Sequence, residues 1–335
     1  MSRRTIPGLE APDPVLEREI RGRLDEVERA LEEGVRADSD LLGETARYLL
    51  AAGGKRFRPM LVLLAGYFGD PTDPRLIPGA VAIELVHAAT LYHDDVIDEA
   101  ESRHGVPSVN ARWDNTVAIL TGDYLFARAS EISAELGTDV IALLARTIAT
   151  LCDGQIREVE ASGNIEQTES AYLEVIRRKT GALIATSCRL GGMLSDAPAD
   201  QLSTLESYGE AVGMAFQLSD DIMDVTSSAE ELGKEPGVDM KEGVYTLPVL
   251  LALRRGADRA ELASLLTDGP PEGRRLERAL EIVREPSTLA EARSAVAAEV
   301  DRAQALAARL PEGPARTALV QLSGFLAVRC GARQT

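Results

Sequence analysis

Two aspartate triplets with the same spacing constrain this chain more than any other feature. Each has the pattern Asp-Asp-x-x-Asp and follows an apolar stretch that predicts a core helix. Positions i and i+4 of an α-helix lie about 40° apart around the axis and about 6 Å apart along it, so the first and last carboxylates share a face. At that distance two charges repel by roughly 3 kcal/mol at an effective dielectric of about 20, so partly buried triplets require cations. The six residues are Asp94, Asp95, Asp98, Asp220, Asp221 and Asp224.

The chemistry of this ligand set favours magnesium. All the donors are carboxylate oxygens, and Mg²⁺ usually takes one or two carboxylates and completes its octahedron with water and substrate phosphate. A single triplet is more often a solvated acidic patch, but two copies, each at the polar end of an apolar helix, favour a metal site. Two such triplets facing each other would hold several Mg²⁺ ions around a diphosphate, with Mn²⁺ as a substitute.

Basic residues near the triplets predict anion binding in a chain that is acidic overall. The net charge of −18 argues against non-specific binding to nucleic acid or anionic lipid, so an anionic substrate must be held locally. Lys55, Arg56 and Arg58 follow a two-glycine turn and are the best candidates for an anion site that needs no metal. His87, two turns before the first triplet, could donate a hydrogen bond to a bound anion. Further basic candidates are Arg103, Lys179 and Lys234.

Apolar periodicity predicts an all-α fold. Apolar residues recur at steps of three or four from Val15 to Gly34 and again along most of the chain, for example over Ala171–Leu194 and Asp200–Thr226, whereas no run of alternating β-branched residues occurs. None of the glycine- and proline-rich turns is long enough to be a domain linker. We therefore predict a flexible N-terminus over residues 1–14 and one helical domain over residues 15–335.

Cysteine usage and the N-terminus predict a cytoplasmic protein. The three cysteines lie far apart with no paired spacing, so neither a disulfide framework nor a zinc site is expected. The N-terminus has basic residues but no apolar segment of the kind found in secretory signals. The apolar stretch before the first triplet is interrupted by Glu84 and His87, so we expect no transmembrane segment.

Several motifs together resemble the trans-isoprenyl diphosphate synthases, or polyprenyl synthetases, and the resemblance extends over about residues 40–255 in the family's order and spacing. The motifs are Gly54-Lys-Arg-Phe-Arg-Pro59, His93-Asp-Asp-Val-Ile-Asp98 followed by Arg103, Lys179-Thr180, and Gln217-Leu-Ser-Asp-Asp-Ile-Met-Asp224 with Gly233-Lys234.

The resemblance implies an all-α isoprenoid synthase fold around a deep central cavity, usually in a homodimer. It implies that isopentenyl diphosphate condenses head-to-tail with an allylic diphosphate after metal-assisted ionisation, and that the six aspartates hold Mg²⁺. The allylic diphosphate would contact Arg103, Lys179, Thr180, Gln217 and Lys234. Isopentenyl diphosphate would contact Lys55, Arg56, Arg58 and His87.

One position departs from the family pattern. The family often has two consecutive arginines after the first triplet, and here the second is His104. An imidazole could still donate to isopentenyl diphosphate, and affinity for this substrate would then depend on pH.

Residues beneath the first triplet bear on product length. In this family, bulky aromatic residues four and five positions before the triplet stop chain growth early, whereas this chain has Thr90 and Ala89 there and Val86 further down the helix. We therefore expect a long-chain product of about C30 to C50. The alternatives are a geranylgeranyl or farnesyl diphosphate synthase, a non-catalytic partner subunit, and a terpene cyclase, which would not need the anion site at residues 55–58.

Overall fold

Helices dominate the structure, a computed structural model that describes residues 13–227, 236–267 and 269–333. The all-α class is confirmed. In chain order the helices are α1 Pro14–Gly34, α2 Asp40–Ala52, α3 Phe57–Ala65, α4 Leu76–Ile97, α5 Val109–Arg112, α6 Asn115–Leu136, α7 Thr138–Ala161, α8 Glu169–Ile176, α9 Ala182–Leu194, α10 Ala199–Thr226, α11 Val238–Lys241, α12 Leu247–Arg255, α13 Arg259–Thr267, α14 Arg274–Val283, α15 Pro286–Ala307 and α16 Pro314–Arg329. A 3₁₀ turn covers Gly66–Phe68, a π-helical turn covers Arg177–Gly181, and strands β1 Ser102–Arg103 and β2 Val106–Pro107 form an antiparallel pair.

Helix α1 shows how local sequence fixes an element. The Asp13 carboxylate accepts hydrogen bonds from the backbone N–H groups of Val15 (2.8 Å) and Leu16 (3.3 Å), and Pro14 lies in the first turn, where a missing N–H costs nothing. The helix therefore begins one residue before the predicted start, while residues 1–12 of the predicted flexible N-terminus lie outside the described residues. Its buried face is the predicted apolar face, formed by Leu16, Ile20, Leu24, Val27 and Leu31.

The chain divides into two compact units, and the first comprises Met1–Ala149, Leu183–Gly209 and Ala307–Leu319. Helix α4 is the core helix of this unit and packs against α1, α3 and α6. It is long and apolar enough to cross a membrane by length and composition, but 67% of its apolar window is buried inside the protein, as in a core helix. This burial places the first aspartate triplet at the end of a rigid element.

The second unit comprises Thr150–Ala182, Glu210–Leu306 and Val320–Thr335. Two glycines allow its helices to approach the π-helical turn closely. A Cβ atom on Gly213 of α10 would lie 2.7 Å from the Cα of Gly181, and one on Gly154 of α7 would lie 2.8 Å from the backbone nitrogen of Lys179. Both contacts are too short for a larger residue unless the backbone moves.

The structure differs from the sequence prediction in short elements. The predicted helix Ala171–Leu194 contains the π-helical turn, and the two-residue strands of the β1–β2 hairpin are too short to show alternation. Helix α13 was missed because its only buried residues are Leu262 and Leu266, which give a weak pattern. The predicted single domain and central cavity stay predictions.

Candidate active site

The first aspartate cluster, Asp94, Asp95 and Asp98, lies where α4 ends. Asp98 follows the last helical residue, and its backbone N–H donates to the carbonyl oxygen of Asp94 at 2.8 Å. Asp94 is half-buried and Asp98 is exposed, so solvent reaches both. Asp95 is fully buried. The cluster thus has two accessible carboxylates and one inward-facing carboxylate.

Asp95 is held by the neighbouring hairpin. The Arg103 guanidinium of β1 donates from Nε to Asp95 Oδ1 at 2.7 Å. Burial raises the pKa of Asp95, while the positive charge of Arg103 acts in the opposite direction. Within the described part of the chain, the buried Asp95 Oδ2 has no hydrogen-bond partner. Asp95 therefore connects the end of α4 to Arg103, the residue predicted to contact the allylic diphosphate.

The basic loop, defined as residues 53–58, runs from the end of α2 into the first turn of α3 and contains three of the residues predicted to bind isopentenyl diphosphate. Lys55 is exposed, whereas Arg56 is 7% exposed and its guanidinium bonds to Glu28 and Glu84. Burial lowers the pKa of Arg58 to about 10, and the nearby charge of Glu84 acts in the opposite direction. Among the described residues, no hydrogen-bond partner reaches the buried Arg58 Nε. A cationic side chain whose buried N–H group has no acceptor fits the binding of an anion.

Two histidines lie beside the basic loop. Burial lowers the pKa of His87 well below its usual value, and the charges of Arg58, His104 and Arg103 lower it further. His87 is therefore neutral near pH 7 and can donate one ring N–H. His104 hydrogen-bonds to the backbone of Gly53, and burial followed by the charge of Arg103 lowers its pKa. The structure thus brings the basic loop, His87 and the hairpin together within the first unit.

The second aspartate cluster, Asp220, Asp221 and Asp224, lies near the end of α10 in the second unit. Asp221 is 1% exposed and accepts hydrogen bonds from the Tyr172 hydroxyl and, at 2.9 Å, from Gln217 Nε2. The Thr180 hydroxyl donates to Gln217 Oε1 at 2.9 Å and so fixes the orientation of the amide. Burial raises the pKa of Asp221 above the usual range, and the hydrogen bonds from Tyr172 and Gln217 act in the opposite direction.

Asp220 has a partner in the last helix of the chain. The Arg329 guanidinium of α16 donates to Asp220 Oδ1, and its Nε donates to the Ser219 hydroxyl at 2.6 Å. The same guanidinium lies over the ring of Phe216, 4.8 Å from the centroid. Sequence reasoning missed Arg329 because it lies more than a hundred positions from the triplet and belongs to no motif.

The π-helical turn carries Lys179 and Thr180, two residues predicted to bind the allylic diphosphate. A π-helical turn inserts one extra residue into a helix, and such insertions are frequent at functional sites. Lys179 forms an ion pair with Glu158 of α7, and Thr180 contacts Gln217. Glu158 and Tyr172 are therefore further residues that sequence reasoning missed, since neither belongs to a recognisable motif. Lys234 lies outside the described residues.

The predicted chain-length residues lie along the core helix α4. Val86 and Ala89 are fully buried, and the half-buried Thr90 donates its hydroxyl to the His87 carbonyl oxygen at 2.8 Å. All three are small or aliphatic, so the part of α4 below the aspartates has no aromatic ring at these positions. Their contact with a growing chain stays a prediction.

The carboxylates fit a divalent cation that also binds substrate oxygen. Among residues 13–227, 236–267 and 269–333, no three His, Cys, Asp or Glu side chains are arranged to hold an ion by themselves. A hard cation such as Mg²⁺ can bind one or two carboxylates and take its other ligands from water and phosphate. The accessible Asp94 and Asp98 and the partly exposed Asp220 supply such carboxylates.

An all-α protein with two Asp-Asp-x-x-Asp helices and a separate cationic loop belongs to the class of metal-dependent enzymes that act on prenyl diphosphates. A family model described as polyprenyl synthetase matches residues 39–283. The chain belongs to the polyprenyl synthetase family, and the predicted fold and enzyme class, a trans-prenyltransferase, are confirmed.

Individual relatives agree with this assignment. The nonaprenyl diphosphate synthase of Mycobacterium tuberculosis is 41% identical over 329 residues, which cover 97% of this chain and 98% of that protein. Heptaprenyl diphosphate synthase component 2 of Bacillus subtilis is 39% identical over 307 residues, which cover 91% of this chain and 88% of that protein. Both relatives agree with the predicted long-chain type.

A solved structure supports the metal dependence. The crystal structure of geranylgeranyl pyrophosphate synthase from Corynebacterium glutamicum, complexed with calcium and isoprenyl diphosphate, has 42% sequence identity and a TM-score of 0.85. The match covers 96% of this chain and 99% of that chain. Prenyl diphosphate substrates and dependence on a divalent metal are therefore supported for the family.

Proposed function

We propose that this prenyltransferase extends an allylic diphosphate with isopentenyl diphosphate to an all-trans product of about C30 to C50, using Mg²⁺. The observation that carries the proposal is the basic loop, in which the buried Nε–H of Arg58 has no protein partner among the described residues. Such a site is required only when a second diphosphate substrate binds without metal. A terpene cyclase, which ionises a single substrate, would not need it.

The residues have separate tasks in this reaction. A bound divalent cation supplies positive charge that stabilises the departing diphosphate. Arg103 orients Asp95, and Tyr172 and Gln217 orient Asp221, so the accessible carboxylates beside them keep a fixed geometry. Lys179 presents its ammonium group to the allylic diphosphate, and Thr180 holds the Gln217 amide that donates to Asp221. The reaction needs no nucleophilic side chain, because the double bond of isopentenyl diphosphate attacks the allylic carbon.

The basic loop and His87 are assigned to isopentenyl diphosphate. Arg58 and Lys55 supply charge, and the neutral His87 donates one hydrogen bond. The proton lost after condensation is assigned to the departed diphosphate. His104 is assigned to the same substrate as a donor.

Product analysis tests this function. The purified chain is incubated with labelled isopentenyl diphosphate, farnesyl diphosphate and Mg²⁺, and the products are separated by chain length; metal removal by a chelator must abolish turnover. A product that stops at C20 would instead support geranylgeranyl diphosphate synthase, the activity named for the C. glutamicum structure. Failure to consume isopentenyl diphosphate would refute the proposal.

We further propose that the chain acts as a cytoplasmic homodimer. The B. subtilis relative is named as one component of its synthase, so a partner subunit is the competing arrangement. Activity of the purified chain alone, with a sedimentation mass of twice 35.9 kDa, would support the homodimer. Activity that appears only after a second protein is added would refute it, and cell fractionation tests the location.

A further inference from the structure

Arg56 has an unusual backbone conformation at the start of α3. It has φ 47° and ψ 41°, in the left-handed region that side-chain-bearing residues rarely adopt, and no side-chain hydrogen bond caps the helix there. Its neighbours Lys55 and Arg58 are the predicted diphosphate ligands. A conformation of this kind persists only where the surrounding contacts hold it.

The guanidinium of Arg56 supplies those contacts. Its Nε and one terminal nitrogen donate to the two oxygens of Glu28 at 2.9 and 3.1 Å, and its other terminal nitrogen donates to Glu84 at 2.9 Å. A fourth hydrogen bond reaches the carbonyl oxygen of Leu50 at 2.8 Å. Burial disfavours the charge, but the two glutamates outweigh it and raise the pKa of Arg56. Because four protein acceptors already bind this guanidinium, which has five N–H donors, it has little hydrogen-bonding capacity left for a ligand.

Gly54 makes room for this arrangement. A Cβ atom at Gly54 would lie 2.9 Å from a terminal nitrogen of Arg56, the nitrogen that reaches Glu84. The far end of an arginine normally moves aside at little cost, but here buried ion pairs fix it. The basic loop therefore depends on a glycine at this position for a reason other than backbone freedom.

Glu84 connects the two arginines. It is 5% exposed within α4; burial raises its pKa, and the charges of Arg56 and Arg58 oppose that effect. Glu84 hydrogen-bonds to Arg56 and only influences Arg58 through its charge. Arg56 is thus neutralised within the protein, whereas Arg58 keeps an N–H directed at no described protein acceptor.

We propose that Arg56 is a positioning residue and not a diphosphate ligand: its buried ion pairs with Glu84 and Glu28 hold the basic loop so that Lys55 and Arg58 meet the diphosphate of isopentenyl diphosphate. The inference rests on the proposed function, and it changes the role of Arg56 predicted from the sequence. It adds Glu84, Glu28 and Gly54 to the residues on which this substrate depends.

The two roles of Arg56 predict opposite effects for substitutions at the glutamates. If Arg56 were a ligand, Glu84→Gln would release the guanidinium and leave affinity for isopentenyl diphosphate unchanged or higher. If Arg56 positions the loop, Glu84→Gln must weaken that affinity as Arg56→Lys does, because both changes weaken the same ion pair. Changes acting through one contact are not additive, so the double variant should be no worse than the poorer single variant.

The experiment measures metal-free binding of isopentenyl diphosphate by calorimetry, and KM for each substrate, for Arg56→Lys, Glu84→Gln, the double variant and Gly54→Ala. We expect each change to weaken binding and raise KM for isopentenyl diphosphate by about tenfold or more, since misplacing a binding group by about 1 Å can cost about 100-fold. KM for the allylic diphosphate should change less than about twofold. Arg47→Lys, the same exchange at an exposed arginine of α2, is the matched control.

Three results separate the outcomes. Unchanged or tighter binding in Glu84→Gln overturns the positioning role, as do equal losses for both substrates. If the buried variants do not fold, Glu28→Gln, which alters a partner that is 31% exposed, gives the same test at lower risk. Failure of the unmodified protein to bind isopentenyl diphosphate would refute the proposed function itself, which is a distinct result.

Discussion

Tyr172→Phe tests whether a buried hydrogen bond sets the second aspartate cluster. The substitution removes one oxygen and leaves the ring, so it creates almost no cavity, while Asp221 keeps the bond from Gln217. A hydrogen bond to a charged group contributes about 1.5–3 kcal/mol, and a neutral one about 1 kcal/mol. We therefore expect the free energy of unfolding to fall by about 1–3 kcal/mol, which corresponds to roughly 1–4 °C in Tm for a chain of this length.

The sign of the pH dependence follows from the pKa of Asp221. Burial raises this pKa and the Tyr172 hydroxyl lowers it, so Tyr172→Phe raises the pKa of Asp221 further. The unmodified protein gains the stronger, charged hydrogen bond as Asp221 ionises with rising pH. The loss caused by Tyr172→Phe should therefore be larger at pH 8 than at pH 5.5.

Urea denaturation in the presence of a chelator measures this difference at both pH values. The matched control is Tyr67→Phe, which removes a hydroxyl that donates to Glu19 at 2.6 Å on the protein surface; its cost should stay below about 1 kcal/mol. In enzyme assays, Tyr172→Phe should raise KM for the allylic diphosphate by about tenfold or more, because Asp221 loses its orientation. Equal losses in the two variants, or a loss independent of pH, would refute the reasoning.

The remaining predictions concern three positions. Gly213→Ala should destabilise the protein by about 1–2 kcal/mol in urea denaturation, because the added Cβ meets the Gly181 backbone at 2.7 Å; Gly22→Ala, with nothing within 4 Å, should stabilise by up to about 1 kcal/mol, and a similar gain in both would contradict the contact. Because burial lowers the pKa of His87, the unfolded chain takes up a proton below about pH 6.5 that the folded chain rejects, so stability should fall between pH 7 and 5. His87→Gln should reduce that fall by about 1 kcal/mol, and an identical fall would refute it. Ala89→Phe should shorten the product in the chain-length assay; an unchanged profile would refute the predicted floor.

Much of the active site was predictable because its functional residues lie in short sequence motifs. The i and i+4 spacing places carboxylates on one helix face in any fold, and the neighbouring apolar residues require that helix to be buried. The structure confirms both helices and places the predicted residues of the basic loop beside His87 and Arg103. The buried face of α1 was likewise set by periodicity alone.

The roles of individual members of each motif were not predictable. Asp95 and Asp221 have the same place in their triplets, and both are buried, one against Arg103 and the other against Tyr172. The triplet spacing says that the middle residue points away from the shared face, but not what it meets there. Its partners come from separate elements.

The sequence by itself therefore determined most of the helices and the short motifs that identify the family, because each of these depends on neighbours within about two helical turns. Tertiary structure decided which charged side chains are paired with other residues of the protein. Arg56 and Arg58 have the same charge in the same loop, yet two glutamates from α1 and α4 satisfy Arg56, while Arg58 keeps a buried N–H with no described acceptor. The energy of a buried charge depends on its partners in space, and only the fold brings those partners together.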